Sequence, residues 1–358
     1  MTPVPLATVV IPTYNYAHFV GDAIDSVLNQ TMSRREIETI IVDDGSQDAT
    51  WDAVKRYGDS VRYIRQANAG KAMATSVGIE NAKGKYIFNL DADDMFRPRR
   101  IEAAVEVFER SDHVVHVGHP ALHWNEDLGY EVVERVPADI KNRELNGKEL
   151  LAYLCRRNLL FGGGSTFAGR GRALRTIPIT AAIDMYIDEY LVMWMLSAGG
   201  SFFLDEPLST WRIHGGNFSA QPERSHVERM RHGMKAVLAS VVSGPFDDEI
   251  KALYVLKTKV TDVAAREAVG EKSLRDVADL WLWLLEHRRF FRGDLWRIID
   301  RYTLLKRSLP TRLLYALKAL APRRAGRGRS CWRSKGVVEA AGASGVAARC
   351  RREGGRPA

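Results

Sequence analysis

The sequence predicts an α/β protein: a doubly wound, mostly parallel sheet flanked by helices and followed by a C-terminal helical region. Three observations carry this expectation. Short apolar or β-branched runs alternate with stretches of helical spacing. The segments between the runs are long enough for crossover helices. Polar loops fall at the ends of three runs, and in such sheets ligands sit beyond the carboxyl ends of the strands.

Taken in order, residues 7–11 (Ala-Thr-Val-Val-Ile) read as the first strand, which Pro12-Thr13-Tyr14-Asn15-Tyr16 breaks. Over residues 19–29, Phe19, Val20, Ala23, Ile24, Val27 and Leu28 recur at helical spacing. A second apolar strand, 38–42, ends in Asp43-Asp44-Gly45-Ser46, a turn with helix-capping chemistry. A helix at 49–57, a strand at 61–64 and a helix at 72–82 stopped by Gly84 follow, then a strand at 86–90. Further on, 114–117 reads as a strand. Gly162-Gly163-Gly164-Ser165 is a permissive loop, suited either to close backbone approach to a ligand or to plain connection. Residues 187–196 form an apolar helix with Asp188 and Glu189 near its start, where acids also suit the helix dipole. A short strand at 202–204 precedes a loop, 211–217, that holds a cation, an imidazole and two glycines.

From 225 to about 320 the chain reads as helical and rich in Leu, Trp and Arg. Aromatic residues interleave with arginines around Trp281, Trp283, Arg288, Arg289, Phe290, Phe291, Arg292 and Trp296. That pattern fits a helix lying on a membrane, and equally a helical cap with its arginines in solvent. Residues 325–358 are Gly, Ala, Arg and Ser with few apolar side chains to bury, so disorder is expected. The resulting division is a catalytic domain at 1–222, a basic, aromatic helical extension at 223–322 and a basic tail at 323–358.

The net charge of +8 is unevenly placed. Residues 1–287 hold 33 Lys and Arg against 40 Asp and Glu, while residues 288–358 hold 19 against 4. An acidic body with a basic end argues against a nucleic-acid-binding core and favours contact with an anionic membrane surface. Three cysteines without metal or redox spacing suggest a reducing compartment. The first residues lack a basic leader region, and no apolar stretch is long enough to span a bilayer. The expected location is cytoplasmic, with peripheral contact at the inner face of the plasma membrane.

The most informative residues are Asp91-Ala92-Asp93-Asp94, at the end of the apolar run Tyr86-Ile87-Phe88-Asn89-Leu90. Three carboxylates at the end of a buried strand are costly unless a cation neutralises them. A solvated acidic turn would account for the tetrad alone. Its shared location with the loops at 12–15 and 43–46 points instead to a metal and the nucleotide diphosphate it would carry.

These motifs resemble the family 2 glycosyltransferases of GT-A fold. The resemblance rests on Val10-Ile11-Pro12-Thr13-Tyr14-Asn15, on Val42-Asp43-Asp44-Gly45-Ser46 with Asp48 and Thr50, and on Asn68-Ala69-Gly70 with Gly78, Ala82, Gly84, Tyr86 and Ile87. It continues through Leu90-Asp91-Ala92-Asp93-Asp94, Asp188 with Leu191, Asp205-Glu206-Pro207-Leu208 and Arg212-Ile213-His214-Gly215-Gly216-Asn217-Phe218-Ser219. It covers about residues 7–219, in order.

The resemblance implies roles position by position. Pro12, Thr13, Tyr14, Asn15, Asn68 and Gly70 would line the nucleotide-sugar pocket, and Asp43 or Asp44 would bond the base. Asp91 and Asp93 match the DXD motif. Asp91, beside Ala92, would reach the ribose or the metal shell; Asp93 would hold Mg²⁺ or Mn²⁺, with His214 nearby. Asp94 is the weakest member of the tetrad. Asp188 falls at the catalytic base, although the family often has Glu-Asp where this chain has Ile187-Asp188-Glu189; Asp184 and Glu189 are the fallbacks. The implied activity is inverting transfer from a nucleoside diphosphate sugar, a UDP-sugar first among donors, to a glycan or lipid-linked hydroxyl in cell-surface polysaccharide or glycolipid synthesis. A nucleotidyltransferase would need a glycine-rich loop with Arg and Lys after the first strand, and residues 12–15 offer none. A non-catalytic nucleotide-sugar-binding protein would not need the full acid set.

Overall fold

The computed structural model describes residues 4–157, 163–217, 224–271 and 274–291. The parallel half of the sheet is built from β1 (Ala7–Thr13), β2 (Ile37–Asp43), β3 (Arg62–Arg65) and β4 (Tyr86–Asn89), with α1 (Val20–Leu28), α2 (Thr50–Lys55) and α3 (Lys71–Asn81) as the connecting helices. A two-residue strand, β5 (Met95–Phe96), and α4 (Arg100–Arg110) lead to β6 (Val114–Gly118). Then come β7 (Ala121–Asn125), β8 (Tyr130–Val133), β9 (Glu144–Leu145) and α5 (Gly147–Arg157). They are followed by β10 (Phe167–Arg170), α6 (Gly171–Leu174), α7 (Ile187–Ala198), β11 (Gly200–Phe203) and β12 (Ser209–Ile213). Three further helices are α8 (Arg224–Ser243), α9 (Asp248–Ala268) and α10 (Leu274–Glu286).

The main sheet runs β3-β2-β1-β4-β10-β6-β11-β9. The first four strands are mutually parallel, whereas β10 is antiparallel to both its neighbours and β9 to β11. A second sheet, β5-β12-β7-β8, stands beside it. Strand order reverses direction between β1 and β4, and this switch point is where a doubly wound sheet opens a crevice for a ligand.

Both faces of the sheet are covered, and side-chain alternation along the strands sorts the residues between them. Val10, Ile40 and Val42 enter one buried cluster, with Ile79 and the α5 and α7 leucines. Val9, Ile11 and Ile41 enter the other, with Val20, Ile24, Phe88 and Phe108. Small residues bring α3 close to β1: a Cβ on Gly78 would lie 2.1 Å from Val10 Cγ1.

One difference from the sequence reading matters. Residues 211–213 are the end of β12, not loop; β12 pairs with β7 through Ile213↔Asn125, and the chain turns only at His214. α8 and α9 pack on the body, as the helical-cap alternative has it. Val237, Val241, Ile250 and Tyr254 share a buried cluster with Ile183, Ile187 and Leu191. No helix among the described residues is long and apolar enough to cross a membrane. Gly162, the helix expected beyond residue 291 and the tail at 323–358 lie outside the described residues.

Candidate active site

The loops that leave β1, β2 and β3 are bonded into one rim. Asn15, with φ 56°, takes the left-handed conformation that asparagine tolerates best among non-glycine residues. Its N–H donates to Ser46 Oγ (2.9 Å), and its Oδ1 accepts from the Gln47 N–H (2.8 Å). Asp43 is buried; it accepts the Ser46 N–H (2.7 Å) and the Tyr63 hydroxyl. Asp44 is also buried and accepts from Gln66 Nε2 (2.7 Å), the Ala69 N–H (2.9 Å) and the Gly70 N–H (2.8 Å). Pro12 and Thr13 are buried at the end of β1, while Tyr14, Asn15 and Asn68 are exposed. Both candidate base contacts thus also hold the rim's own backbone, Asp44 with two bonds and Asp43 with one.

The β4 end and the α7 start meet beside this rim. Asp91 follows β4, and Asp188 lies in the first turn of α7. Lys71, the first residue of α3, joins them. Its Nζ is 2.9 Å from Asp91 Oδ1 and 2.9 Å from Asp188 Oδ2. Gly164 backs both acids: a Cβ there would lie 2.7 Å from Asp91 Oδ1 and 2.9 Å from Asp188 Oδ1. Any side chain at 164 would therefore displace the pair, so this part of the glycine loop serves close approach. Burial pushes the Asp188 carboxyl up to about 6; the Lys71 charge opposes that rise and the Asp91 charge adds to it. For Lys71, burial favours the neutral amine, but Asp188 and Asp91 outweigh it and the net direction is up.

Asp93 points to the other side of the strand end. Its Oδ2 is 3.4 Å from His214 Nε2 and accepts from Asn217 Nδ2 (3.2 Å). His214 is held from behind by its own turn, where its N–H donates to Asn217 Oδ1 (2.5 Å), and by the Phe19 ring at 4.4 Å. Burial first, then the Asp91 charge, raises the Asp93 carboxyl. Ala92, between the two acids, is buried. Asp94 turns inward and is spent on structure. It accepts from Ser165 Oγ (2.5 Å) and the Arg212 N–H (3.0 Å), while the Asp91 N–H donates to the same Ser165 oxygen (3.0 Å). Asp94 therefore ties β12 and the residue 165 turn to the acid loop.

The fallback acids have other partners. Asp184, with φ 45°, takes both guanidinium contacts of Arg229 from α8. Glu189 takes Lys257 from α9 at 2.5 Å on each oxygen. Only Asp188 faces the other site acids. Its Oδ1 makes no hydrogen bond of good geometry among the described residues.

The sequence reading missed Lys71. One signal was available: a lysine in the first turn of a helix opposes the dipole, so something else must hold it there. Ser165 and Asn217 stand in motifs the sequence reading named, but it gave them no role; they fix the acid loop and His214 by hydrogen bonds that spacing alone does not reveal.

A mixed sheet with helices on both faces and an acid cluster at its switch point is the architecture of the GT-A glycosyltransferases. Residues 8–177 match the model of glycosyl transferase family 2, and the chain carries a domain of that family. It is 32% identical over 222 residues to an uncharacterised glycosyltransferase of Nostoc sp., which covers 59% of this chain and 65% of the relative. It is 39% identical over 121 residues to an uncharacterised glycosyltransferase of Rickettsia prowazekii, covering 33% of this chain and 37% of the relative. The matches span less than two thirds of either relative. Among solved structures, S. aureus TarS 1-349 in complex with UDP-GlcNAc superposes with a TM-score of 0.55 at 17% identity, over 84% of this chain and 90% of that one. At that identity the likeness is one of fold.

Proposed function

We propose that this chain transfers a sugar from a nucleoside diphosphate sugar to an acceptor hydroxyl, with inversion at the anomeric carbon. The observation that carries the reading is Asp188, a half-buried carboxylate that shares the Lys71 ammonium with Asp91 at the switch point and whose pKa is raised to about 6, first by burial. A base of that strength is ionised at neutral pH and still able to accept a proton. Asp188 takes the proton of the acceptor hydroxyl as its oxygen bonds to the anomeric carbon. The bond from that carbon to the diphosphate oxygen breaks on the opposite face. No second carboxylate nucleophile is required, which is why the outcome is inversion.

The rim at 12–15, 43–46 and 68–70 receives the nucleotide, with Asp43 or Asp44 toward the base and Asp91 toward the ribose. Asp93 and His214 fit a divalent cation: one carboxylate oxygen and one imidazole nitrogen converge from a buried, acid-rich corner. Among the described residues no group of three or more His, Cys, Asp or Glu gathers at ligand distance. Two protein ligands suit Mg²⁺ or Mn²⁺ that completes its shell with diphosphate oxygens and water. When bound, such an ion neutralises charge developing on the departing diphosphate. UDP-sugars come first as donors, and the complex of TarS with UDP-GlcNAc supports testing them first.

The acceptor is proposed to be a glycan or lipid-linked glycan of the cell surface, met at the inner face of the membrane. Support comes from the basic, aromatic C-terminal end and from Leu282 and Leu285 of α10, which stand 57% and 52% exposed. A screen of nucleotide sugars for donor hydrolysis, with Mg²⁺ or Mn²⁺ and again with a chelator, tests the reading. Hydrolysis of one donor that stops on chelation is expected. Donor binding without hydrolysis under any condition would support a nucleotide-sugar-binding protein instead.

A further inference from the structure

Lys71 is an odd residue to find where it is. It opens α3, and a cation in the first helical turn opposes the macrodipole. The chain nonetheless fixes it there with care. Gly70, at φ 90°, turns the backbone into the helix, and Asp44 accepts the N–H groups of Ala69 and Gly70 just before it. Behind Gly70 there is no room for a side chain without crowding Asp184: a Cβ would lie 3.0 Å from Asp184 Oδ1. Asp184 is in turn held by Arg229 of α8. The start of Lys71 is thus braced from both sides, and its far end reaches two carboxylates from two different elements.

We propose that Lys71 is a positioning residue for sugar transfer: its ammonium sets the spacing between the donor-side acid Asp91 and the base Asp188. The proposal rests on the glycosyltransferase reading above. An ammonium has three donors and no preferred plane, so one lysine can hold two carboxylates at a common distance. Asp91 accepts at 2.9 and 3.0 Å on its two oxygens, and Asp188 at 2.9 Å on Oδ2. This leaves Asp188 Oδ1, against Gly164, as the oxygen not engaged by Lys71. The charged groups facing Asp188 are Lys71 from α3 and Asp91 from the β4 end, with the Gly164 backbone beside them. Remove the ammonium, and burial and Asp91 act on the base unopposed. Asp188 would then hold its proton to higher pH and lose its fixed spacing from Asp91.

The test uses the full chain with Lys71→Met and Lys71→Arg, each assayed with the active donor. For Lys71→Met, kcat is expected to fall about tenfold or more while donor KM stays within about threefold, the loss expected when a base is misplaced rather than a donor contact removed. The acid limb of the kcat profile should move up by about one pH unit. Lys71→Arg keeps the charge on a different geometry and should restore the limb more than the rate. A rise in donor KM with kcat unchanged would make Lys71 a donor ligand and overturn the proposal. A lower melting temperature with an unshifted pH profile would reduce it to a structural ion pair and also overturn it. ¹³C carboxyl NMR titration of Asp188 in wild type and Lys71→Met reads the same shift without turnover. It separates failure of this inference, an unshifted Asp188, from failure of the glycosyltransferase reading, an inactive wild type.

Discussion

Three acids close in sequence, Asp184, Asp188 and Glu189, are sorted by their partners. Arg229 takes Asp184 and Lys257 takes Glu189, so these two join the body to α8 and α9. Asp188 alone of the three faces Asp91, through Lys71. Its carboxyl is pushed up to about 6, chiefly by burial. A general base works in its unprotonated form, so the sign follows directly. kcat should rise with pH up to about 6 and level off above it, and fall roughly tenfold per unit on the acid side. A pH–rate profile flat down to pH about 4, the range of an ordinary carboxylate, would contradict this assignment. Asp94 illustrates the opposite case. It is the most buried acid of the tetrad and its bonds go to Ser165 and the Arg212 backbone, so its place in the motif reflects the architecture of the loop.

The parallel half of the fold was legible in the sequence because β1, β2 and β4 are buried for most of their length and read as apolar runs. β1, β2, β4 and the helices between them lie within a residue or two of where spacing put them. Among the strands of the other half, only β6 and β11 were legible, expected at 114–117 and 202–204. β9 and β5 are two-residue strands, and β8 has all four residues exposed, so neither length nor alternation marks them. β12 was read as loop because Trp211, Arg212 and Ile213 alternate over only three residues before Gly215 and Gly216; their pairing with β7 is what makes them a strand. The candidate site was legible where it sits in contiguous motifs, as at 12–15, 43–46 and 91–94. It was not where it depends on tertiary approach, as for Lys71 reaching Asp188 across 117 positions. Close approach also gives a sharp stability test on α3. A Cβ on Gly78 would sit 2.1 Å from Val10 Cγ1, so Gly78→Val must push the helix off β1. A loss of about 1–3 kcal/mol is expected from overpacking of this kind, read as a lower denaturant midpoint with unchanged slope. An unchanged midpoint would mean that the α3–β1 contact is looser than described.

The molecule joins an acidic body to a basic end through helices that share its core. α8 and α9 pack into the same cluster as α7, and Arg229 and Lys257 bind acids that flank Asp188. α8 and α9 thus help support the candidate site, while the excess positive charge lies beyond residue 287. For membrane contact, Arg288→Glu with Arg289→Glu in the full chain should weaken co-sedimentation with anionic vesicles and leave binding to neutral vesicles unchanged, since each basic residue near such a surface contributes about 1 kcal/mol. Equal sedimentation of the variant and wild type would remove these residues from the contact. The central claim, that Asp188 is the base of a sugar transfer, is tested most directly by Asp188→Asn, which keeps the shape and removes the proton acceptor. The expected result is a turnover loss of about a hundredfold or more with donor affinity within about threefold of wild type. Turnover retained at the wild-type rate would contradict it.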